Sequence, residues 1–528
     1  MIHCTIDLGD NAVEFSINDV SYVRPELVNA LNNMEKVRDV VAGESAVKSK
    51  TTRYLPRLPG HSNDDSGNAA YEIYLEYAHF YPATSRTAQG LRGLVFRKDP
   101  VVNIPEQLEQ YRENITADGQ SLVSFSKDVL LEVIQTNRCG LFVDFPSVDE
   151  DMIYSKADME MLNIRPYVRM YKAETIINWR TRVINNQTVT ALVVVKEDVE
   201  EPDVGMFRSK INIQYRVLYL DEDNIYHQDI YQNMDANPLL GIVGGMQLIS
   251  SVVPLVNGEP LDYIPFYPIT DKGVTWELTD STLLQLAETN LSHYRNSANR
   301  ENALIWTGNP TPVFSGYAGN PDEGAIRLGS CEAILLQNGG SASFLEFTGQ
   351  GLTPIKDVMA EKEEEMAVLG ARIISPEKRT AETAESAMIH RSGEQGVLAD
   401  IANSISDGLT RVLRFFGLYH GVKDIKAIKV MLNTDYMPVE MKSDMVARLG
   451  ELYQKRLLSW ESYFYAMQKG EILKSDISAE EEYARIEADK KRDNIPEDPS
   501  QTLKRTSAIT GSLSSPEAKK EEKVPEKD

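Results

Sequence analysis

Residues 279–302 read TDSTLLQLAETNLSHYRNSANREN, and residues 353–370 read TPIKDVMAEKEEEMAVLG. Between them lies an irregular, strand-prone insert rich in Gly, Asn and Pro. In the first segment Leu283, Leu284, Leu286, Ala287 and Leu291 recur at helical spacing and make an apolar stripe. After Tyr294 the chain runs Arg295, Asn296, Ser297, Ala298, Asn299, Arg300, Glu301, Asn302, polar on nearly every side. A helix of that kind buries little against its own chain and must meet water or polar neighbours from other copies. In the second segment Thr353 is placed as an N-cap, Pro354 takes the first turn, and Gly370 offers a stop. Ile355, Val358, Met359, Met366 and Leu369 form its stripe, with Glu361, Glu363, Glu364 and Glu365 mostly off it. Two helices flanking a small β insert read as a stalk with a tip. A surface excursion on an ordinary enzyme satisfies the same periodicity.

The 528 residues of the whole chain suffice for two to four cores. The formal charge of -24 argues against a protein that clamps DNA through broad basic patches. It suits a surface to which nucleic acid should not adhere. Cys4, Cys139 and Cys331 are too few and too scattered for a disulfide framework or a Cys-rich zinc site, and fit a reducing compartment. The start is not the basic-then-apolar pattern of a signal peptide, and no apolar run reaches membrane-spanning length. Synthesis in the cytoplasm, with no membrane partner, is the expectation.

N-terminal to the central block, residues 1–23 read as a strand-prone lead. A helix over RPELVNALNNMEKVRDVVAGE turns Leu27, Leu31, Met34, Val37 and Val41 to one face. NAAYEIYLEYAHFY is aromatic-rich, and its stripe reads as core. SLVSFSKDVLLEVIQTN is an amphipathic helix leading into a strand, CGLFVDFP. Residues 166–270 are β-rich; KINIQYRVLYL alternates and returns after DEDN as a hairpin. C-terminal to the block, TAETAESAMIHRSGEQ leads one long helix to about His420. A strand (KAIKVMLNTDY) and three helices follow, the last opened by a capping box of Ser478 and Glu481. From Arg492 onward Pro, Ser, Lys and Glu dominate, as in a disordered tail.

Catalytic signatures are sparse. There is no phosphate loop, dinucleotide fingerprint, H-E-x-x-H, C-x-x-C or nucleophile elbow, and the seven histidines are scattered. Asp144, Asp149, Glu150 and Asp151 could gather on a divalent ion in a nucleic-acid enzyme. No Gly-turn spacing or partner His supports that, so a solvated loop is the simpler reading. The expected class is a non-enzymatic structural protein without cofactor.

The order of elements resembles the portal (head–tail connector) proteins of tailed bacteriophages. YIPFYPIT followed by the helix ending SHYRNSANRENALIWTGNPTPVFSG is similar to that family's passage from wing into first stem helix and clip. AIRLGSCEAILLQNGGSASFLEF looks like the clip, and the closing helix with the break before RTAETAESAMIHRSGEQ like the second stem helix, tunnel loop and long wing helix. YKAETIINWR and YLPRLPGH resemble stretches of one portal-like branch. The resemblance implies an α+β, mainly helical portal-like fold. It divides as a wing over 1–278, first stem helix 279–302, clip 303–350 and second stem helix 351–373. A tunnel loop over 374–384, a long wing helix and strand over 385–437, a crown over 438–491 and a tail over 492–528 complete it.

The same resemblance implies a ring, usually of twelve subunits, at the capsid vertex of the virion, with double-stranded DNA passing through during packaging and ejection. Expected partners are the terminase large subunit, the head-completion adaptor, and scaffolding and major capsid proteins. In that frame Arg295, Asn299, Arg300, Glu361, Glu364 and Glu365 fall at the stem subunit interface. Asn320, Pro321, Asp322 and Glu323 fall in a clip docking turn, and Ser375, Glu377, Lys378, Arg379 and Thr380 in a DNA-facing tunnel loop. The competing readings are the metal-dependent nucleic-acid enzyme above and another ring or adaptor of the phage neck. Adaptors are usually much shorter and lack the stem–clip–stem block.

Overall fold

The computed structural model describes residues 4–6, 13–15, 19–146, 158, 161–202, 207–234, 245–308, 311–315, 339–345, 351–374, 396–436, 443–470, 472–473 and 477–492. Strands β1 (Cys4–Ile6) and β2 (Val13–Phe15) precede helices α1 (Pro25–Ala42), α2 (Glu44–Ser49), α3 (Asp65–Tyr77) and α4 (Ala83–Val95). Next come β3 (Val101–Asn103), α5 (Gln110–Glu113), α6 (Leu122–Thr136) and β4 (Arg138–Asp144). The β-rich middle holds β5 (Tyr167–Lys172), β6 (Ile176–Ile184), β7 (Gln187–Pro202), β8 (Ser209–Leu220), β9 (Tyr226–Met234) and β10 (Gly245–Val252). It ends with β11 (Leu255–Val256), β12 (Glu259–Pro260), β13 (Phe266–Thr270) and β14 (Gly273–Val274). Then follow α7 (Leu284–Gly308), β15 (Thr311–Ser315), β16 (Ser341–Leu345), α8 (Leu352–Ile374), α9 (Val397–Tyr419) and β17 (Lys429–Met431). Last are α10 (Ser443–Gln454), α11 (Trp460–Lys469) and α12 (Ala479–Arg492). The fold is mixed helix and sheet, and the chain divides into two compact units, Met1–Tyr436 and Met437–Asp528.

Strand β4 organises the first unit. It lies inside an antiparallel sheet of order β14-β13-β4-β5, with Phe142 opposite Phe266 and Leu141 opposite Met170, and all seven of its residues are buried. Helix α9 covers this sheet with a wide stripe that includes Ile401, Ile405, Leu409, Val412 and Phe416. Gly408 allows the close approach: a Cβ there would stand 2.1 Å from the Ile269 Cδ1. Glycine inside a helix normally destabilises it by about 1 kcal/mol relative to alanine, so this one is set by packing. Ser406 and Thr410 of α9 accept hydrogen bonds from the Leu432 and Val430 amides (both 3.0 Å) beside β17.

A second, five-stranded antiparallel sheet has the order β10-β9-β8-β7-β6. A buried polar network joins the two sheets. Glu197 of β7 accepts from Arg216 Nε (2.8 Å), from Gln214 and from the Tyr171 hydroxyl. Arg216 also lies 3.6 Å from Asp144 at the end of β4. Burial works to raise the Glu197 carboxyl, but Arg216, Tyr171 and Gln214 overcome it and hold it below the usual range. Beside the network, Trp179, Trp276 and Phe266 stack nearly parallel at 5.6–5.7 Å. The buried Arg138 guanidinium lies 4.1 Å over Trp179, and its two terminal nitrogens have no hydrogen-bond partner. Its stabilisation comes from the ring faces.

Several expectations change. Helix α7 begins at Leu284 rather than Thr279, because the preceding residues are engaged elsewhere. Asn137 donates to the Asp280 carbonyl (2.8 Å) and Ser281 donates to the Ile134 carbonyl (3.2 Å). It then runs on to Gly308. Helix α8 begins at Leu352, so Thr353 lies inside it. It passes Gly370 and reaches Ile374; Gly370 serves as a contact point, where a Cβ would stand 3.2 Å from the Thr87 methyl of α4. Of the helix expected to run unbroken to His420, residues 375–395 lie outside the described residues, and α9 begins only at Val397, because Gly396 before it is extended (φ -69°, ψ 155°). Asp144 is buried in the network above rather than placed in a solvated loop.

Candidate functional site

The two helices α7 and α8 pack against each other and carry the hairpin β15–β16 between them. Their contact is partly polar. Lys362 donates to the Ser292 hydroxyl (2.8 Å), and His293 Nε2 lies 3.2 Å from Glu363. The half of α7 after Tyr294 is less exposed than its composition implies. Ser297 and Ala298 are buried, and Ser297 accepts from the His79 amide (3.3 Å). Tyr294 packs edge-on to Phe80. The expectation that this half buries little against its own chain is therefore corrected: small residues, not large apolar ones, make the contact.

The expected stem residues divide. Arg295 donates to the Tyr54 carbonyl (3.0 Å) and Asn299 accepts from the Tyr74 hydroxyl (2.7 Å), so each is anchored in its own chain while remaining exposed. Arg300 is half-buried. On α8 Glu361, Glu364 and Glu365 are exposed, and Glu361 and Glu364 make no ion pair among the described residues. Together with Gln285, Val368 and Leu369 these three glutamates line an open cleft of about 370 Å³ between the helices. Val358, expected on the buried stripe, is exposed. Among the residues of α8 whose burial is described only Met359, Met366, Leu369 and Gly370 are buried. A long helix with so narrow a buried edge leaves most of its surface without a partner in this chain.

At the tip, β15 and β16 pair from Thr311–Leu345 to Ser315–Ser341. Val313, Phe344 and Leu345 are exposed there. The expected docking turn of Asn320, Pro321, Asp322 and Glu323 lies outside the described residues, as do Ser375, Glu377, Lys378, Arg379 and Thr380 of the expected tunnel loop and the expected tail after Arg492. Of the carboxylates weighed as a metal site, Asp149, Glu150 and Asp151 lie outside too, and Asp144 is held by Arg216 and the Tyr167 hydroxyl. Among the described residues no group of three or more His, Cys, Asp or Glu side chains is placed to hold a metal ion, and no helix is long and apolar enough to cross a membrane. The network around Glu197 escaped the sequence reading, although a lone Arg216 in the run QYRVLYL was its available signal.

His293 gives the α7–α8 pair a pH dependence. Burial depresses its pKa below the ordinary 6.5, outweighing the hydrogen bond to Glu363; Lys362 and His79 push in the same direction as burial. The unfolded chain takes up this proton near pH 6.5 while the folded chain resists it. Stability is therefore complete above that value and declines as pH falls through it. His293→Gln is expected to reduce the loss of melting temperature between pH 7.5 and 5.5, measured against the parent.

The family described as "Domain of unknown function (DUF4055)" matches residues 282–420, which run from α7 through α9. No curated protein matches the chain. Among solved structures, a chain in the neck of an empty GTA particle computed with C6 symmetry is 12% identical. It aligns over 72% of this chain and 88% of its own, with a TM-score of 0.33. A chain in the neck of a native GTA particle computed with C12 symmetry is 11% identical, over 80% and 98%, with a TM-score of 0.34. Superposition at that level transfers no residue-level role.

Proposed function

We propose that this protein is a portal: a closed ring with cyclic symmetry and a heterologous interface, set at the unique vertex of a phage-type capsid. The observation that carries the reading is the stem–hairpin–stem block. Two long helices hold out a two-stranded hairpin with exposed apolar residues, and the second helix leaves most of its surface uncovered. In a ring the acidic face of α8 meets the neighbouring copy's α7, with Arg295 and Arg300 as its cations. The exposed hairpins exchange contacts at the narrow end and offer the terminase large subunit and head-completion adaptor a docking surface. An acidic channel wall leaves duplex DNA free to slide, because a basic one would neutralise phosphates and hold it. Scaffolding and coat proteins meet the outer surface, and twelve copies is the number the family resemblance favours. Negative-stain microscopy of the purified protein tests this: rings with an axial hole are expected. Monomers or dimers alone, across salt and concentration in native mass spectrometry, refute it.

Under this reading residues 374–384 border the channel, and Lys378 and Arg379 are cations on an acidic wall. Changing both to Glu is expected to leave the ring intact and alter DNA packaging or its retention in the head. Normal packaged genome length and particle stability would remove the DNA-contact role and leave the portal assignment standing.

A further inference from the structure

One face of the five-stranded sheet is covered at one end and bare at the other. Val20 and Val23 pack onto it over Ile177, Val194 and Val217, with Tyr215 and Tyr231 beside them. Tyr215 pairs with Tyr231, Tyr231 with Leu248, and Asn233 with Met246. By two-residue alternation Ile211, Ile213, Met246 and Leu248 share that face. They are 66%, 41%, 36% and 50% exposed. A cluster of large apolar side chains on a sheet face marks a surface that something covers.

The chain that covers the first end points at the second. Arg24 bonds through its amide to the Ile177 carbonyl (3.0 Å) and through its guanidinium to the Trp179 carbonyl (2.8 Å), both on the edge strand β6. Read backwards, Val23 and Val20 then pack on the apolar cluster of Ile177, Val194 and Val217, which spans β6, β7 and β8, and the Asp19 charge joins burial in raising the Tyr215 phenol of β8. Continuing in that direction leads over β9 and β10. From β8 to β10 is two strand spacings, about 10 Å. Residues 16–18 span about 10 Å when extended, so β2 can reach the bare patch.

The segment beyond is matched to it. In the hairpin β1–β2, Cys4 pairs with Phe15, Ile6 with Val13, and Thr5 with Glu14. Alternation therefore assigns Cys4, Ile6, Val13 and Phe15 to one face and the polar pair to the other. The hairpin joins no third strand among the described residues, and two three-residue strands alone are marginal in water.

We propose that the β1–β2 hairpin of the same chain docks, apolar face down, on the patch of Ile211, Ile213, Met246 and Leu248. A three-residue tether makes the event intramolecular, at an effective concentration near the millimolar range, which favours the chain's own hairpin over that of a second copy. The inference is independent of the portal reading.

The test uses the native Cys4. In full-length protein carrying Cys331→Ser and Leu248→Cys, with Cys139 fully buried, a short bis-maleimide is expected to join residues 4 and 248 within one chain. The product keeps the single-chain mass and yields a cross-linked peptide. Met246→Cys serves as a second variant, and single maleimides confirm that both thiols react. A covalent dimer would assign the patch to a second copy and overturn the proposal. Two reactive thiols with no cross-link in either variant would also overturn it. Removal of residues 1–18 is expected to speed amide exchange in β10 several-fold; unchanged exchange counts against docking.

Discussion

Glu197→Ala is expected to destabilise the first unit by about 3–5 kcal/mol, because it leaves Arg216 buried without its main counter-charge. Both side chains are under a tenth exposed, so water cannot take over the lost role. The same change strands the Tyr171 hydroxyl and the Gln214 amide, which Glu197 now accepts from. The damage would fall where the two sheets meet, since Arg216 also faces Asp144 of β4. Urea denaturation should show a lower midpoint with an unchanged slope. Glu197→Gln should lie between, keeping hydrogen bonds and losing charge. Exchanging Glu197 and Arg216 together for leucine and methionine should cost less than Glu197→Ala, because no unpaired guanidinium is left buried, while Tyr171, Gln214 and Asp144 still lose partners. A Glu197→Ala protein as stable as the parent would mean that the network adds nothing.

Replacing Glu361, Glu364 and Glu365 together with lysine is expected to dissolve the proposed ring into single chains. All three are exposed on α8, so the folded chain itself should melt within a degree or two of the parent. Set opposite Arg295 and Arg300 of a neighbour, three lysines juxtapose like charges, which disfavours association by several kcal/mol at each interface. The triple glutamine variant should weaken the ring more mildly and reduce its salt dependence. Native mass spectrometry reads both. Intact rings from the triple lysine protein would place the stem interface elsewhere on α8.

Features set by neighbours in sequence were readable in the sequence. The amphipathic helix read over SLVSFSKDVLLEVIQTN is α6, and Ser478 and Glu481 exchange both bonds of the expected capping box (3.1 Å each) at the start of α12. The β8–β9 hairpin turns at DEDN as alternation predicts. What failed depended on contacts distant in sequence. Ser297 and Ala298 look like surface until the segment after α3 is laid over them, and Gly370 looks like a stop until α4 is seen against it. Arg216 and Glu197 are ordinary strand residues until β5 brings the Tyr171 hydroxyl onto the same Glu197 carboxylate that Arg216 holds. Glu361, Glu364 and Glu365 could be read as exposed; the loops expected to line a channel and to dock partners fall outside the described residues.

The burial of β4 carries a consequence for synthesis. Its strand partner β13 lies about 120 residues further along the chain and its helical cover α9 about 250. At roughly 5–20 residues per second, a ribosome needs roughly 10–50 s between finishing RCGLFVD and finishing the start of α9. For roughly the first half of that interval, until β13 is made, a strand with an apolar middle waits with one edge unpaired, and until α9 is made it waits with a face uncovered, a template for pairing with other nascent chains. Yield of soluble protein should thus depend on growth temperature and chaperone supply more than on the stability of the finished molecule.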